Sequence, residues 1–292
     1  MSSVNLTDTS FGRKLKDRIA LVLVCAAFVL AVIPLVSVLW TVVKNGAHRF
    51  DVAFFTHSMN GISNRDAGGG AYHAILGTLE QVGLASLIAI PVGVLTAVYL
   101  VEYGRDSRLA KTVTFFVDVM TGVPSIVAGL FIFAFWLALL GFEYMGFAGA
   151  MALSILMMPT VVRATEEMLK LVPNDLREAS YALGVPRWRT ICLVVLPTAF
   201  TGIITGVVLA IARVMGETAP LLMTVFVTTA INNDPFQGPQ MSLPLYVWDQ
   251  APLPNQTAID RAWAAALTLI VLVMLLNLVA RLIARLRKPI AR

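Results

Sequence analysis

Long apolar runs alternate with short polar segments along the whole chain. Residues 19–43 carry no charge, and further uncharged runs cover 82–101, 119–142, 144–162 and 262–280. A sixth run, 197–230, is interrupted only by Arg213 and Glu217. The hydrocarbon core of a bilayer is about 30 Å thick and needs roughly 20 apolar residues as a helix. A helix also satisfies its own backbone polar groups in lipid. The pattern predicts an all-α polytopic membrane protein with six transmembrane helices. The first run is too long for the apolar region of a signal peptide, roughly 7–15 residues. No Ala-x-Ala cleavage site follows it, so it reads as a retained span.

Composition agrees with the pattern. Hydrophobic residues make up 58% of the chain and charged residues only 13%. A soluble domain carries about 25% charged residues, so a soluble enzyme and a disordered chain are both excluded. The formal net charge of +5 raises the question of nucleic acid. The distribution answers it, because the basic residues are spread over four segments rather than gathered on one face. Cys25 and Cys192 both lie in apolar runs, which excludes a disulfide framework and the usual zinc spacing.

The basic residues instead set orientation. With the N-terminus inside, 17 of the 22 fall in cytoplasmic segments. Among them are Arg13, Lys14, Arg105, Lys111, Arg163, Arg177, Arg187, Arg285, Arg287, Lys288 and Arg292. Only Lys44, Arg49, Arg65 and Arg261 fall outside. By the positive-inside rule both termini are cytoplasmic. The chain then divides into a cytoplasmic segment 1–18, a first span 19–43 and an external loop 44–71. A core over 72–288 and a cytoplasmic tail 289–292 follow.

Two external segments stand out. The first contains Gly68, Gly69 and Gly70 and reads as a flexible loop. The second, 232–260, places Tyr246 and Trp248 where they could rest at the headgroup level. It reads either as an interfacial loop or as a docking surface for an external partner.

Between the fourth and fifth runs lies a long cytoplasmic segment, 165–190. It predicts a helix over 165–172 that stops at Pro173, then a second over 176–183. Asn174 or Asp175 could cap the second helix at its N-terminus, and Gly184 could end it in a left-handed turn. Such a segment could lie on the inner leaflet, held by Arg177, Arg187 and Trp188. It could also be a lever that passes force from a cytoplasmic motor to the spans.

The order Glu178-Ala179-Ser180, three residues, Gly184, nine residues, then Val194-Val195-Leu196-Pro197 resembles the EAA loop of ATP-binding-cassette (ABC) importer permeases. The family pattern is E-A-A-x3-G-x9-I-x-L-P, so Ser180 and Val194 are mild departures. The resemblance implies a MetI-like permease core whose EAA loop, here 165–197, forms a coupling helix in a cleft of an ATPase subunit. Glu178, Ala179, Ser180, Leu183, Gly184 and Val185 are the positions implicated. Small Ala179 and Ser180 would permit close approach, and Gly184 the turn.

Arg213 and Glu217 stand four apart, which puts both on one face of a continuous helix. They read either as a self-neutralising pair or as a functional site, since a charge at the centre of a membrane helix costs about 2.5–3.5 kcal/mol or more. A guanidinium presents a planar fork of donors suited to phosphate oxygens. The run 197–230 would be about 51 Å long as one helix, too long for a straight span. A break near Gly216 and Pro220 is expected, and it would expose backbone N–H groups to an anion.

The stretch Arg213-Val214-Met215-Gly216-Glu217-Thr218-Ala219-Pro220-Leu221-Leu222 resembles the R-x-x-G-E-T-A-P-L-L signature of phosphate-specific transport (Pst) permeases. Gly122 to Leu130, with Pro124, Ser125 and Gly129, resembles a second segment of that family, and Ala74 to Leu79 a third. The short N-terminus and the Gly-rich lead into the second span resemble the PstA-type subunit more than the PstC-type. The resemblance implies several partners. They are a PstC-type homologous permease, two copies of a PstB-type ATP-binding subunit and an external PstS-type phosphate-binding protein. It implicates Arg213 and Glu217 in phosphate passage. The chain carries no P-loop of the G-x-x-x-x-G-K-[ST] form, so it reads as non-catalytic by itself. No cofactor is expected, with ATP bound by the partner. Membrane lipid is the remaining partner, and nucleic acid is not one.

The other polar groups in the runs read more plainly. Glu80, Gln81 and Asp118 fit helix-interface hydrogen bonding. The histidines, His48, His57 and His73, lack the H-E-x-x-H metal spacing. Three alternatives fit parts of the pattern. A permease for sulfate or molybdate shares the architecture. An ion-coupled secondary transporter would show an internal repeat and leaves the EAA loop unexplained. A membrane-assembly factor leaves Arg213 and Glu217 without a purpose.

Overall fold

The computed structural model describes residues 11–104 and 107–286. Residues 1–10 of the N-terminal segment, the tail 289–292, and Arg105, Arg287 and Lys288 lie outside the described residues. Among the described residues every regular element is helical. The first span is α1 (Phe11–Gly46), followed by short α2 (Val52–Thr56). Next, α3 (Tyr72–Val98) runs on through a π-helical turn, Tyr99–Tyr103. Then come α4 (Arg108–Gly122) and α5 (Ser125–Ile132), the latter extended by π-helical Phe133–Leu139. They are followed by α6 (Gly146–Lys170), α7 (Asn174–Ala182), α8 (Arg187–Thr190) and α9 (Leu196–Met215). The chain closes with α10 (Ala219–Thr224), α11 (Leu243–Gln250) and α12 (Gln256–Leu286). Among the described residues five helices are long and apolar enough to cross a membrane, and the bent pair α4–α5 brings the number to six when it is counted as one span.

Three boundaries differ from the apolar runs. The third run forms part of a helix pair bent by 105° rather than one continuous helix. Pro124 disfavours helical backbone at the residue before it, and Val123 is extended, with φ −70° and ψ 125°. The predicted helix over 165–172 is not separate, because α6 carries the fourth span straight through to Lys170. The fifth crossing begins ten residues before Pro197, at Arg187, and stops at Met215. Pro197 has no N–H and its ring crowds the carbonyl four residues back. The helix passes it just after a π-helical turn, Ile191–Val195.

Small residues bring the helices together. Lipid tails are as apolar as leucine, so helix association in a membrane rests on close packing. Along α3, Ala85 and Ala89 are fully buried, and a Cβ on Gly93 would lie 2.8 Å from Val161 of α6. Ser154 of α6 donates to the Ala85 carbonyl at 3.4 Å and to Ala150 at 2.7 Å. Gly202 and Gly206 of α9 lie against Met168 and Ala164 of α6. In contrast, Leu21, Val22, Leu23 and Phe28 of α1 are exposed, as are Leu87, Leu95, Met274 and Leu275. These faces are the ones left for lipid.

The loop after α1 is not a loose Gly-rich hinge. A Cβ on Gly70 would lie 2.7 Å from the Ala53 and His57 carbonyls, and Gly69 adopts φ +78°. Fully buried Arg261 donates to the carbonyls of Asn64, Asp66 and Gly68 at 2.8–3.0 Å. Tyr246 is also buried inside the protein, so its ring is not presented to lipid headgroups. Its ring meets His73 edge-on at 5.5 Å, and burial raises its phenol pKa above the ordinary value. Trp248 is exposed.

Candidate functional site

The fifth crossing ends in a tight turn. The Gly216 N–H donates to the Arg213 carbonyl and the Glu217 N–H to Val214, both at 3.2 Å. Those two amides are therefore taken and not free to meet an anion. Because α9 stops at Met215, Glu217 lies beyond the helix and the four-residue spacing no longer aligns it with Arg213. Among the described residues the two side chains do not pair. Arg213 is exposed and Glu217 half-buried. Arg213 also sits roughly 39 Å along the helix from Arg187. That places it at the end away from α7 rather than at mid-span.

The break is held against α5. A Cβ on Gly129 would lie 2.6 Å from the Pro220 Cα, so the two backbones touch. On the other side, Gly149 of α6 meets Val225 and Leu221. The Met145 N–H donates to the Thr224 carbonyl at 3.3 Å. Two of the three family-like segments, around Pro124–Gly129 and Arg213–Leu222, are thus brought together. The third shares a cavity wall with the end of α9, Leu79 beside Ile211 and Met215, and is fixed by the chain before α11. The Thr78 hydroxyl accepts from the Leu243 N–H at 2.7 Å, and Gly77 lies against the Met241 carbonyl.

At the opposite end, α7 has two buried side chains, Arg177 and Ser180. Glu178, Ala179 and Leu183 face outward, Leu183 with 83% of its surface exposed. Val185 is half-buried. Neither Asn174 nor Asp175 caps the helix; Pro173 precedes its first residue without a side-chain bond. The C-terminal expectation holds. Gly184 has φ +75°, the Val185 N–H reaches the Ser180 carbonyl at 3.2 Å, and the Gly184 N–H reaches Tyr181 at 2.9 Å. This pair of bonds is a Schellman motif.

Arg177 does not hold α7 to a leaflet, because it is buried against Glu102 at 2.7 Å. Glu102 was not singled out from the sequence. Its only signal there is an acid at the inner end of the second run. The remaining polar groups link helices. Gln81 donates to the Gln240 carbonyl and side chain at 3.2 and 3.1 Å, and Gln240 donates to Glu80. Asp118 pairs with Arg163, which also meets Glu166 at 2.7 Å, and Lys170 meets Glu166 at 2.7 Å.

Comparison with known proteins follows the same lines. Residues 89–289 match the family described as "Binding-protein-dependent transport system inner membrane component". The chain is 50% identical over 272 residues to phosphate transport system permease protein PstA 1 of Mycobacterium tuberculosis (strain H37Rv). That alignment covers 93% of this chain and 88% of the relative. It is 40% identical to PstA of Pasteurella multocida, covering 95% of this chain and 98% of the relative. Among solved structures, a bacterial alginate ABC transporter with its periplasmic protein superposes at TM-score 0.66. It covers 96% of this chain and 99% of that one at 15% identity, so the likeness is one of fold. The MetNI methionine ABC transporter superposes at TM-score 0.59, covering 75% and 95%, with 22% identity. With the family match over 89–289 and 40–50% identity along more than nine-tenths of its length, the chain belongs to the PstA family of phosphate transport system permeases, among the binding-protein-dependent inner membrane components.

Proposed function

We propose that this protein is the permease subunit of an ATP-driven importer that moves inorganic phosphate across the cytoplasmic membrane. One observation carries the reading: 50% identity to a phosphate permease along 93% of the chain. The permease core spans 72–288. A PstC-type permease completes the pathway, two PstB-type subunits bind ATP, and a PstS-type protein delivers phosphate from outside. Exposed Glu178, Ala179 and Leu183 seat α7 on the ATPase. Gly184 and Val185 shape the end of that helix, and Ser180 faces inward.

Arg213 offers phosphate a guanidinium with no partner of its own among the described residues. A planar fork of donors matches two phosphate oxygens at once. Glu217, just beyond the turn at Gly216, is near enough in sequence to compete for that guanidinium after the anion leaves. Pro220 fixes the break by its contact with Gly129.

The test is reconstitution of the complete complex in proteoliposomes with radiolabelled phosphate. ATP-dependent uptake that excess sulfate and molybdate leave unchanged is expected. Competition by sulfate or molybdate would move the assignment to another oxyanion. Uptake driven by an ion gradient without ATP would favour a secondary transporter.

A further inference from the structure

We infer that Glu102 and Arg177 form the rigid link through which α7 moves the inner ends of the spans as one body. The coupling of ATP hydrolysis to transport then depends on this pair. The inference deepens the reading of an ATP-driven importer and rests on it.

A helix of nine residues is too short to be stable alone, so α7 transmits force only as well as it is anchored. Its charged anchor is Arg177. Arg177 donates from Nε and Nη2 to Glu102 Oε1 at 3.1 and 2.7 Å. Its Nη1 reaches the Val172 carbonyl at 2.6 Å and Asn174 Oδ1 at 3.4 Å, and its Nη2 reaches the Leu169 carbonyl at 3.0 Å. One guanidinium thus grips the inner end of α3, the inner end of α6 and the start of α7. A planar fork fixes direction as well as distance, which an ammonium does not.

Glu102 is itself a junction. Its backbone carbonyl accepts from Arg187 at the start of α8, and that guanidinium lies 4.9 Å over the Tyr103 ring. Ser180 and Thr190 share a 2.8 Å hydroxyl bond, which ties the other buried position of α7 to α8. Three crossings therefore converge on one ion pair that is almost wholly buried, with 2% of Glu102 and 6% of Arg177 exposed. A buried ion pair is weak evidence for stability, since apolar packing does as well. It is better suited to fixing one geometry. The opposite face of α7 presents Glu178 and Ala179 outward, and Leu183 is exposed at its C-terminal end. A push there has its firmest path through Arg177 to Glu102.

The test uses the full complex in proteoliposomes and reads phosphate moved per ATP hydrolysed, together with recovery of all subunits. Glu102→Gln keeps shape and removes charge; Arg177→Lys keeps charge and removes the fork. Both variants are expected to assemble and hydrolyse ATP while the transport ratio falls on the order of tenfold. An unchanged ratio in both would overturn the inference. A second measurement leaves the pair intact: spin labels at exposed Leu95 of α3 and exposed Asp175 of α7 should keep a constant separation through the ATP cycle. A separation that changes between nucleotide-free and ATP-bound states would equally overturn it. If the wild-type complex moves no phosphate at all, the functional reading fails instead.

Discussion

Gly129 and Pro220 touch backbone to backbone: a Cβ on Gly129 would lie 2.6 Å from the proline Cα and 3.0 Å from its carbonyl oxygen. Neither atom can move aside as the tip of a side chain could. Gly129→Ala should therefore force α5 away from the break after α9, at a cost of about 1–3 kcal/mol for overpacking. Thermal unfolding of the detergent-purified complex measures it. A variant as stable as the parent, with normal uptake, would show that the contact is slack.

Arg213→Gln separates transport from folding. The side chain is exposed and, among the described residues, makes no ion pair. Its loss should leave assembly and melting temperature unchanged. ATP-driven phosphate uptake should drop to background. Near-normal uptake would remove Arg213 from the pathway.

Gly184 tests the backbone rather than the space. Nothing lies within 4 Å of a Cβ built there, yet φ is +75°. A left-handed conformation costs most side chains roughly 1–2 kcal/mol, and asparagine less. Gly184→Val should uncouple uptake from ATP hydrolysis while Gly184→Asn largely keeps it. Equal behaviour of the two would mean that the turn is not what matters.

Arg261 closes the loop that follows α1. Arg261→Met keeps much of the apolar volume and strips three carbonyls of their charged donor. The expected cost is about 1.5–3 kcal/mol, with faster proteolysis between residues 58 and 70. Unaltered cleavage in a limited-digestion time course would argue that the loop is held by other contacts.

Tyr246 should give stability a pH dependence at the alkaline end. Burial raises its phenol pKa in the folded protein, whereas an unfolded chain ionises near the ordinary value of about 10. Above that pH the unfolded state binds fewer protons, so stability falls as pH rises. Tyr246→Phe should flatten that fall in denaturation curves taken from pH 9 to 11. An identical slope in the variant would assign the effect to other groups.

The sequence alone determined what the solvent demands. Runs of about 20 uncharged residues can only be spans, and 17 of 22 basic residues on one side can only be orientation. Local backbone chemistry was equally legible: Gly184 ends α7 as its left-handed geometry requires, and Gly216 and Pro220 end the fifth helix. These features depend on a residue and its near neighbours. The tertiary structure decided what depends on distant partners. It bent the third run by 105° beside Pro124, started the fifth crossing at Arg187 and parted Arg213 from Glu217. It also buried Tyr246 and Arg261, which the sequence placed at a boundary and in an external segment. Above all it joined Glu102 to Arg177, 75 residues apart. A charge looks the same in a sequence whether water or another helix will surround it. Only packing settles which groups lose their water, and a group without water must find its partner inside the protein.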